Sequence, residues 1–553
     1  MAKVIIIGGV AGGASCAARL RRQREDLEIT LIDRGKYVSF ANCGLPYYVG
    51  EVITEEKKLL VATPELFERR FNIRVKVETE VLAVDRARKV VRLKDLPSGR
   101  ESEEPYDTLV LAPGAGPVRP PLPGLDLPGV FALRTIPDSR QIRGWIQEHH
   151  TTSAVVIGGG FIGLEMAENL AHRGLKVTIV EMLSQVMPPL DPEMAEPLHE
   201  RLRARGVDLR LGDGLAGLEP DPAGGLRVKT KSGAQFSAGL ALLAIGVRPE
   251  TKLAKEAGLT LGPLGGIQVD AEMRTSDPAI FAVGDAVEVL TYPSHRRALL
   301  PLAGPANRQG RVAADVIAGK PRPFRGVQGT AVCGVFGLTA ALTGETEKSL
   351  KAADRSDYAK VYLHPGHHVA YYPDAKPIYL KLLFERPSGK VLGLQAVGEE
   401  GVEKRVDVAA MAIQMGGTVF DLEESELCYA PQFGAAKDPL NVAGMIAANV
   451  LRGDLQLADW ADLEKEGDKL ILDVRDPAEY ASGHVPGAVN IPLNELRARS
   501  GELPKDKEIW AYCRVGQRSY YANRLLLQKG FKARNLPGGY LTYLSLNPEN
   551  SRG

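Results

Sequence analysis

Twice in this chain an apolar strand runs straight into a cluster of glycines and out again into a helix. The first copy is KVIIIGGVAGGASCAARLRRQ, from Lys3, and the second is SAVVIGGGFIGLEMAENLAHRGLKVTIVEM, from Ser153. The strand after each glycine helix closes on an acidic residue, Asp33 in EITLIDR and Glu181 in VTIVEM. Such a turn lets backbone N–H groups at a helix N-terminus approach a pyrophosphate, while the carboxylate accepts ribose hydroxyls. This is the βαβ dinucleotide-binding pattern. The first copy departs from it in Gly8-Gly9-Val10-Ala11-Gly12-Gly13, where Val10 replaces the expected middle glycine. Its acidic residue also comes about 25 positions after the first glycine, slightly beyond the usual spacing of about 20. The second copy keeps Gly158, Gly160 and Gly163. Two such units about 150 residues apart imply two dinucleotides, one flavin and one nicotinamide. Glu181 favours NADH over NADPH, because a carboxylate repels the extra phosphate and no Arg or Lys follows it directly in EMLSQ.

Composition narrows the setting. A chain of 553 residues suggests three or four domains. It is 44% hydrophobic, with no apolar run near the roughly 18 residues of a membrane span. The start, MAKVIIIGGVAGG, turns directly into glycines and reads as a strand rather than a signal peptide. A formal charge of +1 gives no global reason for nucleic acid or a membrane surface as partner. The five cysteines, Cys16, Cys43, Cys333, Cys428 and Cys513, are odd in number, scattered, and form no CxxC or CxxxxC. That argues against a disulfide framework or a metal site, and for a reduced, cytoplasmic protein.

Two further stretches join the glycine turns: YDTLVLAPGA (106–115) and TSDPAIFAVGDAVEV (275–289), which places Asp285 after a strand and a glycine. Together these segments resemble the pyridine nucleotide–disulfide oxidoreductase family, over residues 1 to 447. The resemblance implies FAD held by Gly8, Val10, Ala11, Gly12, Gly13, Asp33, Arg34, Val81, Gly114, Arg134, Asp285 and Ala303, with Asp285 on the ribityl chain. It implies NADH held by Gly158, Gly160, Phe161, Ile162, Gly163, Glu181 and Gly246.

SFANCGLPYY (39–48) places a single cysteine, Cys43, where most of that family carries a CxxxxC pair. A lone thiol must take its partner sulfur from outside, and the segment resembles the single-cysteine branch of coenzyme A-disulfide and CoA-persulfide reductases. The working nucleophile is a thiolate, which a helix terminus or an oxidised flavin would favour. The resemblance implies coenzyme A contacts at Ser15, Arg19, Arg22, Ser39, Asn42, Asn307 and Lys437. Arginines suit phosphate by charge-assisted, bidentate bonding; a basic contact of some relatives falls here on Phe71. From residue 326 the chain resembles the family's dimerisation domain, which implies a homodimer. Tyr371 (with Tyr372 as a neighbouring rival) and Tyr429 match tyrosines near the substrate sulfur, the second expected from across the dimer. NADH oxidases and peroxidases of the same branch usually carry a histidine at the glycine turn; here the position is Ala11. Cys16, Cys333 and Cys428 read as structural.

LILDVRDPAEYASGHVPGAVNIPL and EIWAYCRVGQRSYYANRLLLQKGF resemble a rhodanese domain. Its loop from Cys513 to Arg518 ends at a helix N-terminus, so backbone N–H groups converge on the sulfur and favour a persulfide anion, with Arg514, Gly516 and Arg518 in the loop. A phosphatase loop would carry one residue more between Cys and Arg. The expected fold class is α/β: tandem FAD- and NAD-binding Rossmann-like domains, an α+β dimerisation domain and an α/β rhodanese domain. The expected boundaries are 1–112, 113–150 and 271–325 (FAD), 151–270 (NADH), 326–447 (dimerisation), 448–458 (linker) and 459–550 (rhodanese). The expected function is NADH-dependent reduction of CoA persulfide, polysulfide or CoA disulfide through Cys43, fed with sulfane sulfur from Cys513. An NADH oxidase or peroxidase, and a CoA-responsive redox sensor, are the alternatives.

Overall fold

The computed structural model describes residues 1–292, 294–465 and 467–551. It divides into two compact units: Met1–Ser184 with Gly206–Gly329, and Gln185–Arg205 with the chain from Thr330 onward.

The first unit holds two parallel five-stranded sheets. One runs in the order Ile280–Ala282, Thr108–Leu111, Lys3–Ile7, Glu28–Ile32, Arg74–Lys76. The other runs Asp208–Leu211, Lys176–Glu181, Ser153–Ile157, Leu240–Leu243, Val130–Ala132. Central strands such as VIII and AVVI are apolar on both faces because helices cover both sides of a parallel sheet. In the first sheet the helix Ala11–Arg21 lies against Ala303–Ile317 so closely that a Cβ on Gly310 would come within 2.3 Å of the Gly12 carbonyl oxygen. Each sheet is accompanied by a three-stranded antiparallel meander, Thr79–Pro105 beside the first and Leu215–Ala238 beside the second.

The second unit is built on an antiparallel sheet, Ala331–Val335, Leu338–Gly344, Val391–Gly398, Ile378–Glu385, Tyr358–Leu363. The helices Val402–Met415 and Pro439–Leu451 flank it. A parallel four-stranded sheet follows, Val489–Asn490, Lys469–Asp473, Glu508–Tyr512, Ala533–Asn535. The expected α/β class, with two Rossmann-like sheets, an α+β domain and a final α/β domain, is the one found. Among the described residues no helix is long and apolar enough to cross a membrane.

Within the expected 151–270 stretch, Gln185–Arg205 packs with the unit that holds the antiparallel sheet. The reason is a buried cluster: the Lys381 ammonium donates to Asp191 at 2.8 Å, Glu193 at 2.5 Å and Glu347 at 2.7 Å. Gln395 and Tyr362 complete it, at 2.6 Å to Asp191 and Glu193 respectively. Burial opposes every charge here, yet the Lys381 field holds the Asp191 and Glu347 carboxyls below their ordinary range, and the carboxylates in turn hold Lys381 well above its own.

Candidate active sites

The two glycine turns repeat one geometry. A Cβ on Gly13 would lie 1.8 Å from the Gly8 carbonyl oxygen, and one on Gly163 would lie 2.0 Å from that of Gly158. The first glycine of each turn has φ near +100°, which L side chains rarely adopt. Asp33 accepts the Gly9 and Gly35 N–H groups at 2.7 Å each; Glu181 accepts those of Gly159 at 2.6 Å and Leu183 at 2.7 Å. The middle position explains the departure at Val10. Gly160 has φ −80°, and a Cβ there would meet nothing within 4 Å; Val10 likewise sits at φ −98°. The protein fold therefore tolerates a side chain at this place, and a glycine serves only closer approach of a ligand.

These cradles fit dinucleotides. Burial raises the Asp33 and Asp285 carboxyls, against the Gly9 and Gly35 bonds in the first case and the Arg134 charge in the second. Arg34 and Arg134 converge on Glu250, at 3.4 Å and 2.9 Å, a residue the sequence reading missed. Gly114 has φ +74° beside Arg134, and Gly246 has φ +101° with open space around it. Val81 borders a bulge in the first meander. Ala303 opens its helix exposed, and Phe161 and Ile162 open theirs.

Cys43 is exposed, in the single turn Asn42–Gly44. Ser39, at φ +47°, ties this segment to the glycine turn: its N–H donates to the Gly9 carbonyl at 2.7 Å, and its own carbonyl accepts from Val61 at 2.9 Å. Asn42 is exposed beside the thiol. Packed atoms around Cys43 push its thiol up, and the Glu165 and Asp285 carboxylates push the same way. The helix that follows, Leu45–Val49, has only five residues. Glu165, bonded by Tyr47 at 3.4 Å, is itself raised to about 6 by burial. Neither residue was singled out from sequence, because one lies in a helix turn that reads as packing and the other in a proline turn.

Of the expected coenzyme A contacts, three come together on the packed helices. Ser15 bonds Asn307, and Arg19 reaches the buried Asp315 at 2.7 Å. Arg22 is exposed, and Lys437 is exposed in the second unit just before Pro439–Leu451. At Phe71 the backbone carbonyl accepts from Arg21 at 2.8 Å.

The hydroxyls of Tyr371 and Tyr429 meet at 2.7 Å within one chain, and both residues are exposed. Tyr372 instead packs edge-on against His368. Cys16 and Cys333 are buried, with burial pushing the Cys16 thiol up to about 12. Cys428, read as structural, is exposed next to Tyr429.

At the other cysteine loop, the buried Cys513 sulfur accepts the Gly516 N–H at 3.1 Å and the Ser519 hydroxyl at 3.6 Å. Gly516, at φ +96°, turns the chain into the helix Gln517–Gln528. Both terminal nitrogens of Arg518 bond Glu479, at 2.6 and 2.8 Å. Arg514 is exposed and, among the described residues, forms no ion pair.

Comparison with known proteins covers both sites. The family model for pyridine nucleotide-disulphide oxidoreductases matches residues 2–310, that for their dimerisation domain 330–438, and that for a rhodanese-like domain 457–545. The reduced CoADR-RHD of Bacillus anthracis shares the fold over 99% of this chain and 98% of its own, with TM-score 0.97 and 46% identity. The NAD-dependent persulfide reductase from A. fulgidus does so over 98% and 100%, with TM-score 0.90 and 38% identity. The coenzyme A disulfide reductase of Staphylococcus haemolyticus is 34% identical over 451 residues, 81% of this chain and all of that one.

Proposed function

This chain belongs to the pyridine nucleotide-disulphide oxidoreductase family and is an NADH-dependent flavoprotein oxidoreductase with a rhodanese module; from that premise we propose that it reduces CoA disulfide and CoA persulfide through Cys43, and that Cys513 delivers the sulfane sulfur. The observation that carries this reading is the exposed, unpaired Cys43 thiol in the segment tied to the glycine turn of the first sheet. With no second protein thiol beside it in sequence, the sulfur that completes the disulfide comes from the substrate.

Gly8 to Gly13, Asp33 and Asp285 would hold FAD, which when bound would supply the electron pair from NADH that returns the Cys43–S–S–CoA disulfide to the Cys43 thiolate and CoA. The chain's own residues do the rest. The Cys43 thiolate attacks a sulfur of CoA–S–S–CoA, forming Cys43–S–S–CoA as the original S–S bond breaks. The departing CoA thiolate takes a proton, for which the Tyr371–Tyr429 pair is the donor. With CoA–S–SH the same attack on the inner sulfur releases hydrosulfide. At the second site the Cys513 thiolate accepts one sulfur from a persulfide donor, R–S–S⁻, and releases R–S⁻. The Cys513 persulfide passes that sulfur to the CoA thiolate, giving CoA–S–S⁻ and restoring Cys513. Ser15, Arg19, Arg22, Ser39, Asn42, Asn307 and Lys437 hold coenzyme A in this reading. Fusion of the two sites raises the local concentration of the shared carrier. The dimerisation domain supports a homodimer, unpaired thiols suit a reducing cytoplasm, and polysulfide joins the substrates by the same chemistry.

The test is NADH consumption with CoA disulfide, CoA persulfide, polysulfide, oxygen and peroxide. Cys43→Ser is expected to lose turnover with every sulfur substrate. Cys513→Ser is expected to lose only turnover that depends on an added sulfur donor. Full activity in Cys43→Ser overturns the mechanism, and faster turnover with oxygen or peroxide than with any sulfur substrate assigns the chain to the oxidase branch.

A further inference from the structure

The main chain at the sulfur-carrying loop is held by the first turn of the helix Gly539–Leu546. The Tyr540 N–H donates to the Cys513 carbonyl at 2.7 Å, and the Leu541 N–H to that of Arg514 at 3.1 Å. Gly539 lies so close beneath the loop that a Cβ there would fall 2.3 Å from the Cys513 carbonyl oxygen. Where this turn points therefore decides where the Cys513 sulfur points.

The far side of the turn is fastened from another domain. Thr542, on the same helix, meets Nε2 of His364 through its hydroxyl at 2.9 Å. His364 directly follows the strand Tyr358–Leu363 of the antiparallel sheet and packs edge-on to Tyr379 of the neighbouring strand, with ring centroids 4.9 Å apart. Gly538, at φ +70°, permits the approach: a Cβ there would fall 2.0 Å from the Thr542 hydroxyl and 2.7 Å from Cβ of Tyr362. Burial raises the Tyr379 phenol and the Arg514 charge opposes it, so the loop's cation faces the same wall.

His364 is neutral, since burial brings it down to about 4. A neutral imidazole offers one donor and one acceptor. One nitrogen meets Thr542, and the other, Nδ1, is buried without a partner among the described residues. A polar ring placed at such desolvation cost, making one side-chain bond, and that bond to the helix that carries the Cys513 loop, points to placement rather than packing.

We propose that His364 is a positioning residue of the sulfur-transfer site: its bond to Thr542 locks the helix turn beneath Cys513, so that sulfur transfer depends on the antiparallel-sheet domain and is not a property of the rhodanese module alone. This rests on the reading of Cys513 as a sulfur carrier.

The test uses the full, FAD-loaded chain with thiosulfate as sulfur donor and cyanide as acceptor. His364→Phe keeps the ring and removes the bond; a misplacement of this kind is expected to lower kcat about tenfold, with KM for thiosulfate within about twofold. Thr542→Val is expected to match it, the double variant to fall no further, and Thr542→Ser to keep the wild-type rate. NADH-dependent reduction of CoA disulfide is expected unchanged throughout. Should His364→Phe fail to fold, the Thr542→Val and Thr542→Ser pair decides. A wild-type rate in His364→Phe or Thr542→Val, or an equal loss in Thr542→Ser, overturns the inference alone. A wild-type chain that transfers sulfur neither from thiosulfate nor from glutathione persulfide overturns the carrier reading and the inference with it.

Discussion

A methyl group on Gly163 would have to enter space that the backbone already fills. Its Cβ would lie 2.0 Å from the Gly158 carbonyl oxygen and 3.0 Å from the carbonyl carbon, where real Cβ contacts essentially never fall below 3.0 Å. The helix Phe161–His172 must then withdraw from its strand by about 1 Å, a displacement that costs on the order of a hundredfold when it moves a positioning element. That is about 2.7 kcal/mol at roughly 1.36 kcal/mol per factor of ten. In Gly163→Ala we expect kcat/KM for NADH to fall by on the order of a hundredfold at saturating CoA disulfide. FAD content per chain, read from visible absorbance, is expected unchanged, because the first glycine turn is a separate cradle. Gly160→Ala is the control. Its Cβ meets nothing within 4 Å and its φ of −80° suits any residue, so its urea unfolding midpoint should match wild type while that of Gly163→Ala falls, and any loss of kcat/KM in it reports only the ligand's closer approach. Wild-type kcat/KM in Gly163→Ala, or equal unfolding midpoints in the two variants, would refute the steric argument.

Glu165→Gln removes a carboxylate that raises the Cys43 thiol. The pH midpoint for alkylation of Cys43 by iodoacetamide, followed at that residue by mass spectrometry, should move down; an unchanged or higher midpoint would count against the coupling. Lys381→Met leaves Asp191, Glu193 and Glu347 facing one another without their ammonium, and should cost about 3–5 kcal/mol near neutral pH, measured by urea unfolding. Asp191 and Glu347 are held low, so their contribution is complete above the unfolded values near pH 4 and is lost as pH falls through the lower folded ones. Lys381 is held high, so its share is complete below about pH 10.4 and is lost as pH rises through its folded value. The wild-type advantage should be level from about pH 5 to 9 and shrink below about pH 4; an advantage undiminished in acid would rule out the charge argument.

The amino-acid sequence by itself determined what is local. The positive φ of Gly8 and Gly158, the collisions a Cβ would make at Gly13 and Gly163, and the carboxylates one strand later all lie within about thirty residues of chain, so their pattern is legible without a fold. The lone Cys43 and the loop from Cys513 to Arg518 are legible for the same reason. Only the tertiary structure decided the pairings between distant residues. Tyr371 and Tyr429 are 58 positions apart, His364 and Thr542 178, Asp191 and Lys381 190, and Ser15 and Asn307 292. No periodicity couples such positions. They meet because packed strands and helices leave each buried or half-buried polar group a small set of partners, and an unpaired group there costs more than a bond across domains. That is why Glu479 takes Arg518, why Asp315 takes Arg19, and why Gln185–Arg205 leaves the sheet it follows in sequence for the one that holds Lys381.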